Sequence, residues 1–409
     1  MANYIVGLDI GSKNIKALVA ETRGQSKLKL IKVIKLPSGG VRKGTIDDMA
    51  EATYAVNSAL GEIKKIAKDA IKNIYLAVGN SDISMQPSTG SVAVSRADNE
   101  ISQEDISRAV EASRAISLPM NRMILHAITR EFVVDRVSDI SEPLGMMGNK
   151  LEVNSTIIDA FAPAIKNLTK CVEISGGGVS GLILGNLASA RAVLNKNQKE
   201  LGVVLLDIGF GKTGLSIYQE NKLLHTAIFP IGSGNITNDL AIGLKTSIAT
   251  ADTIKYTFGS AIAKDVDRRD SVDLQKVDAK SRGNISRRFI AEIIEARLAE
   301  IFEFVNNELK RFGKNAQFPS GIVIVGGGAK LPSLIELAKQ ELRLPAQVGI
   351  PDLSSVEIMN AEVGLQLEDP EFASALGLLI WGSNNSGKIR MSDESVRGIL
   401  KKVLGYFIP

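Results

Sequence analysis

The chain has 409 residues, 44% of them apolar and 23% charged, with a net charge of +4, which supports roughly two to three domain-sized units with buried cores. The small charge leaves no nucleic-acid footprint, and the single cysteine, Cys171, excludes an internal disulfide framework and points to a reducing compartment. No leader-like segment opens the chain and no run of about 18 apolar residues follows, so the expectation is a cytosolic protein or one held to a membrane from the cytosolic side.

The first element is a strand over residues 4–10. It ends in Leu8-Asp9-Ile10-Gly11-Ser12-Lys13 and is followed by a second strand at 17–20. An apolar run, an Asp-x-Gly bend and a second strand make a β-hairpin with glycine at its turn. Strand-like 74–78 leads through a turn-rich stretch to another strand at 90–95. Ser102 to Asp105 then resembles a capping box and opens an amphipathic helix to about Ile116. Strands are expected at 123–134 and 150–161, so residues 81–160 are expected to form a small inserted subdomain.

The hairpin pattern recurs at Leu206-Asp207-Ile208-Gly209-Phe210-Gly211, between apolar 203–205 and strand-like 215–218. Two such bends about 200 residues apart suggest two related domains, each supplying one phosphate-facing turn. A helical stretch at 236–258, an exposed charged loop at 264–282 and a long amphipathic helix at 285–312 come next. Strand 321–325 runs into Gly326-Gly327-Gly328, and helices at 331–341 and 370–381 close the fold. Residues 382–394 have linker composition.

Glycine lets backbone N–H groups approach phosphate oxygens closely. Asp9 and Asp207, each at the end of a strand, suit Mg2+ held through water. Gly326, Gly327 and Gly328 would let the main chain lie flat against a sugar or base. Tight hairpins and strand-to-helix turns also use glycine for purely structural reasons, so the joint pattern carries the reading. His126 and His225 have no Cys or His neighbour at ligand spacing, which disfavours a zinc site or a Ser/His triad.

These elements resemble, in order, those of the actin, heat-shock chaperone and sugar kinase superfamily, and within it most closely the FtsA family of bacterial cell-division proteins. The resemblance covers nearly the whole chain. It implies an actin-like α/β fold of two duplicated domains around a nucleotide cleft. The first domain would comprise 1–80, 161–198 and 365–382, and the second 199–364, with 81–160 replacing the usual actin subdomain. It also implies ATP and Mg2+ as ligands. Gly11, Ser12, Lys13 and Lys16 would form the first phosphate loop, and Gly209, Phe210, Gly211, Lys212 and Thr213 the second. Gly232, Asn235 and Gly326 to Gly328 would lie at the adenosine, with Asp252 at the ribose and Lys255 at the base. The connecting helices would be 185–194 and 372–382.

The pattern is broken in places. Phe210, Lys212 and Gly214 stand where relatives carry Gly, Thr and Asp, moving the hydroxyl to Thr213 and leaving Lys212 to face the phosphates. Near Asn186 no carboxylate is available to orient an attacking water, which implies slow hydrolysis at most.

Residues 395–409 show a helical period. Val396, Ile399, Leu400, Val403, Leu404 and Phe407 form one stripe flanked by Arg397 and Lys401, with Lys402 facing away. After a linker, this reads as a membrane-surface helix for an anionic bilayer; a helix docked on the protein's own core is the alternative. The resemblance further implies self-association into filaments and recruitment of other division proteins through the insert. It implies docking of the C-terminal tail of FtsZ, the tubulin homologue, between Arg287 and Asn306. An actin-like pilus-assembly scaffold and a small-molecule kinase of the same superfamily are the competing readings.

Overall fold

A computed structural model describes residues 3–22, 28–279, 283–311, 318–358 and 361–386. Strand Asn3–Ile10 is buried along almost its whole length rather than on alternate residues, the signature of a sheet covered on both faces. Val6 and Leu8 pack with Val56 and Leu60 of helix Met49–Ile66. Ile5 packs on the other face with Leu376 and Leu379 of helix Ala373–Ser386. Each such aliphatic side chain contributes about 1.5–3 kcal/mol on burial.

The strand pairs antiparallel with Asn14–Thr22 and parallel with Ile74–Val78. The six-stranded sheet runs Val179–Leu184, Ile74–Val78, Asn3–Ile10, Asn14–Thr22, Leu28–Pro37, Val356–Glu357. A second sheet repeats the plan. Val203–Ile208 pairs antiparallel with Thr213–Gln219 and parallel with Ile322–Val325, flanked by Lys222–Phe229 and Ala346–Val348. Its Val204 and Leu206 face Ile294, Leu298 and Phe302 of the long helix Arg287–Lys310. Helices Gly185–Val193 and Ala373–Ser386 cross between the two sheets, with no room for a Cβ at Gly377 against the Ala188 carbonyl.

Between the strand Ile74–Val78 and the helix Ala162–Ile174 lies a separate unit. Four antiparallel strands, in the order Ser84–Ala93, Lys150–Phe161, Arg122–Val134, Val137–Ile140, carry the helix Gln103–Ser113. Ile106, Val110, Phe132 and Val153 form its own small core. The capping box is present: Ser102 N–H donates to Asp105 Oδ2 at 2.9 Å and Asp105 N–H to Ser102 Oγ at 3.3 Å.

Several expectations are corrected. The strand placed at 90–95 begins at Ser84, because its pairing with Lys150–Phe161 carries extended backbone across Pro87. The helix at 236–258 is two helices, Ser233–Leu244 and Ile248–Thr257, separated where Lys245 turns left-handed at φ +52°. The charged loop at 264–282 holds a strand, Ser271–Asp273, and a short helix, Leu274–Val277, anchored by buried Val272 and Leu274. The last helix runs to Ser386, into the stretch read as linker. The membrane-helix residues 395–409 lie outside the described residues.

Candidate functional site

The two hairpin bends face each other across one cavity of about 480 Å³, lined by Asp9 to Lys13 from the first domain, Gly209 to Lys212 from the second, and Gly326 and Gly327. Its size falls in the ordinary range for small-molecule sites. The bends touch: a Cβ added to Gly211 would lie 2.6 Å from Ser12 Oγ.

Strand register lays a row of charge across the cavity floor. Asp9 pairs with Lys16, and Lys16 with Lys35, on three adjacent strands. Lys16 Nζ lies 2.8 Å from Asp9 Oδ2 and donates to the Glu371 carbonyl at 2.9 Å. Burial alone would lower the Lys16 pKa, but Asp9, Asp207 and Glu371 together hold it above its usual value. Glu371 forms ion pairs with Lys35 and, at 3.3 Å, with Lys330. Burial opposes its ionisation; these lysines outweigh burial and keep its carboxyl below its usual pKa.

On the second domain's side, Asp207 accepts a hydrogen bond from Ser189 Oγ at 2.8 Å. Burial pushes its carboxyl upward and Asp9 adds to that, against Ser189 and Lys16. A carboxylate held at this cost is one that a divalent cation would relieve. No group of three or more His, Cys, Asp or Glu residues is placed to hold a metal among the described residues. Asp9 and Asp207 are a carboxylate pair whose chemistry suits a cation that keeps most of its water and takes phosphate oxygens, as Mg2+ does.

The glycine triplet divides its work. Gly326 takes φ +84° under Asp207, and Gly328 is buried against Ile208. Of the two that line the cavity, only Gly327 leaves room for a side chain: a Cβ there would meet nothing nearer than Glu371 Oε2 at 3.9 Å. Tyr256 O–H donates to the Gly327 carbonyl at 3.3 Å.

Four expected contacts are turned inward. Thr213 is fully buried and its hydroxyl donates to the Ile231 carbonyl at 2.8 Å; one position along a strand is the opposite face. Lys255 is also fully buried, donating to the Ser233 carbonyl, Thr237 Oγ1 and Asp252 Oδ1 at 2.7–3.0 Å. It acts as an internal strut, its pKa pushed down to about 8 by burial despite Asp252. Asn235 caps its own helix, accepting from Gly232 N–H at 3.1 Å. Gly232 packs against the carbonyls of Gly209 and Phe210 and lets that cap sit under the second bend.

Asp252 does not line the cavity itself; it binds Lys13, which does, as well as Lys255. Burial alone would raise its carboxyl; the two lysines hold it below its usual value. Both ammonium groups lie over Phe210 and Tyr256, with Nζ 4.5–5.6 Å from the ring centroids.

Asn186 lines the cavity wall at the start of the first connecting helix, its Nδ2 2.9 Å from the Leu215 carbonyl and 2.6 Å from Thr226 Oγ1. Gly214 is its counterpart: a Cβ there would sit 3.0 Å from the Asn186 Cβ. The two departures from the superfamily pattern thus fit each other. Asn186 Oδ1 is buried without a protein partner.

Sequence reasoning did not assign Glu371, Lys35, Lys330, Ser189 or Tyr256. Ser189 was legible in principle, one helical turn after Asn186; Glu371 and the two lysines had no local signal.

A family model described as cell division protein FtsA matches residues 204–377, and one described as the SHS2 domain inserted in FtsA matches residues 80–159. Cell division protein FtsA of Pseudomonas aeruginosa is 32% identical over 408 residues, which cover 98% of this chain and 96% of that protein. The chain belongs to the FtsA family. FtsA of Bacillus subtilis is likewise 32% identical, over 96% of this chain and 88% of its own. The SHS2 segment of the FtsA family is here the sheet-and-helix unit described above. Among solved structures, the PilM–PilN type IV pilus biogenesis complex matches with a TM-score of 0.64 at 19% identity, over 93% of this chain and 98% of that one. MreB5 of Spiroplasma citri bound to ADP matches with a TM-score of 0.56 at 12% identity, over 95% and 99%. At such identities the likeness is one of fold, and the fold is actin-like.

Proposed function

We propose that this FtsA family member binds ATP with Mg2+ in the cleft and assembles into filaments on the cytoplasmic face of the cell membrane at the division site. There it tethers FtsZ filaments and recruits further division proteins through its insert. The observation that carries this reading is the convergence of the Asp9–Gly11 and Asp207–Gly209 bends on one cavity that also reaches Gly327.

In this reading the backbone of Gly11 to Lys13 and of Gly209 to Gly211 surrounds the phosphates, with Lys16 and Lys212 supplying fixed positive charge. Asp9 and Asp207 hold Mg2+ through water; the ion supplies neutralisation of phosphate charge. Gly326 and Gly327 lie along the adenosine, with Asp252 at the ribose edge. Positioning and charge stabilisation dominate phosphoryl transfer. With the amide of Asn186, not a carboxylate, at the connecting helix, hydrolysis is slow and nucleotide binding is the main event.

The helix Arg287–Lys310 buries Ile290, Ile294, Leu298 and Phe302 and leaves Phe289 and its charged face outward; we assign the FtsZ tail to this face between Arg287 and Asn306. The membrane contact belongs to residues 395–409. Among the described residues no helix is long and apolar enough to cross a membrane. Each basic residue near anionic lipid adds about 1 kcal/mol, and partial burial of the apolar stripe adds several more. Such a foot binds reversibly alone and firmly when many copies are linked.

Co-sedimentation with anionic liposomes, with and without Mg2+–ATP, tests the whole. The full chain is expected to pellet with liposomes more completely with ATP, and the chain lacking residues 395–409 to remain in the supernatant. Equal pelleting of the truncated chain would refute the membrane assignment, and absence of ATP binding would refute the cleft assignment.

A further inference from the structure

Lys212 stands where the superfamily carries a neutral hydroxyl, and its contact crosses the molecule. From the second domain's bend its Nζ donates a hydrogen bond to the carbonyl of Gly79 in the first domain. Gly79 directly follows the strand Ile74–Val78, and the insert begins one residue later. Gly44 meets them both: a Cβ there would overlap the Gly79 carbonyl and lie 3.1 Å from Lys212 Nζ. Three segments distant in sequence therefore meet at one carbonyl on the cavity wall, which Gly44, Gly79 and Lys212 all line.

We infer that Lys212 is a phosphate-sensing link that ties the inserted subdomain to the cleft and releases it when nucleotide phosphate enters, an inference that rests on the nucleotide reading above. A carbonyl is a neutral acceptor, whereas a phosphate oxygen carries negative charge, so the ammonium forms the stronger, ion-paired hydrogen bond with phosphate. An ammonium on a flexible four-carbon stem can exchange one for the other without moving its backbone. Losing Lys212 frees Gly79, and the insert has the stiffness to turn that local release into a rigid-body change. Asn80 closes a tight turn onto Asp82, whose N–H donates to Asn80 Oδ1 at 3.1 Å. Arg122 then clamps the outgoing and returning chains together, forming an ion pair with Asp159 and donating to the Asp82 carbonyl at 2.9 Å. Motion at Gly79 is thereby carried to the four-stranded sheet as a unit, so occupancy of the cleft is read out as the orientation of the insert.

The test is an inter-label distance measured by pulsed electron resonance between spin labels at Glu104→Cys in the insert and Glu336→Cys in the second domain, both exposed. The native Cys171 is buried and stays unlabelled. Labelled chains are diluted with unlabelled ones so that only distances within a molecule are read, and calorimetry records ATP binding in parallel. In the parent, Mg2+–ATP is expected to shift the distance distribution. In Lys212→Met, which removes the link, the nucleotide-free distribution is already shifted toward that of the ATP-bound parent, ATP binds more weakly, and saturating ATP adds no further shift.

A parent that binds ATP without any shift overturns the link but leaves the nucleotide reading standing. A Lys212→Met chain that binds ATP and shifts as fully as the parent overturns it as well. If Lys212→Met binds no ATP, a nucleotide-free distribution in that variant identical to the parent's decides against the link. A parent that fails to bind ATP at all overturns the nucleotide reading itself and the link with it.

Discussion

The glycine triplet offers a sharp test of the cleft, because adjacent positions predict opposite outcomes. Gly327 has no left-handed φ, and its missing Cβ points into open cavity with Glu371 Oε2 3.9 Å away. Gly327→Val should fold normally, shifting stability by no more than about 0.5 kcal/mol. Its side chain would then occupy the space that a sugar or base requires. Forcing extra carbons into a fitted contact costs about 1–3 kcal/mol, which weakens ATP binding by roughly 5- to 150-fold. Gly328→Ala inverts the pattern. Its Cβ would lie 2.9 Å from both the Cβ and the carbonyl oxygen of Ile208, inside the second domain's core. There the same cost of about 1–3 kcal/mol falls on folding, and the protein that remains folded binds ATP as the parent does. Titration with a fluorescent ATP analogue and urea denaturation of both variants give the two numbers for each. Undiminished affinity in Gly327→Val, or equal losses of stability in the two variants, would refute the placement of the adenosine against Gly327.

Three further outcomes follow from named contacts. Asp207→Asn keeps an acceptor for Ser189 but removes charge facing the cation, so ATP binding should weaken about ten-fold or more in Mg2+ and little in EDTA; affinity measured in both buffers checks this. Lys255→Met strips the donor from the Ser233 carbonyl and Thr237. It should lower stability by about 3 kcal/mol in urea denaturation while changing ATP affinity far less than Gly327→Val does. His126 is buried, its Nε2 accepting from the Leu184 N–H at 3.0 Å, and burial holds its pKa down at about 4. The unfolded imidazole takes its proton near pH 6.5, so between that pH and about 4 the unfolded state binds more protons. Stability should fall by on the order of 3 kcal/mol as pH drops through that window. His126→Gln should flatten this part of a urea-midpoint profile against pH.

Much of the architecture was open to reading because its signals are local. The Asp9–Gly11 and Asp207–Gly209 bends follow apolar runs, and that combination specifies a hairpin whatever surrounds it. The helix after Ser102 carries its own start signal in the reciprocal hydrogen bonds with Asp105. Strands 74–78 and 150–161 are flanked by turn and helix-start signals, Gly79-Asn80 after the first, Gly148-Asn149 before the second and Pro163 just beyond it. The superfamily order of these pieces then fixes the fold. Where the reading went astray, the deciding force was tertiary. Residues 236–258 look continuously helical, yet Lys245 turns left-handed so that both helices can pack on the second sheet. Residues 264–282 look solvated until Val272 and Leu274 find a core to enter.

For the site, the sequence by itself determined which turns are glycine-rich and which strands end in aspartate, since turn chemistry and period are written in neighbouring residues. Only the tertiary structure decided which polar side chains reach the cavity. Lys13 and Lys255 look alike in the chain, but one crosses the cleft to Asp252 and the other is sealed beneath it. Glu371, Lys35 and Lys330 become a cluster, and Gly44, Gly79 and Lys212 a junction, only once the two sheets are set against the crossed connecting helices. The physical reason is that a side chain's role depends on what lies across a packed interface, and long-range packing is not encoded in any local window of the chain.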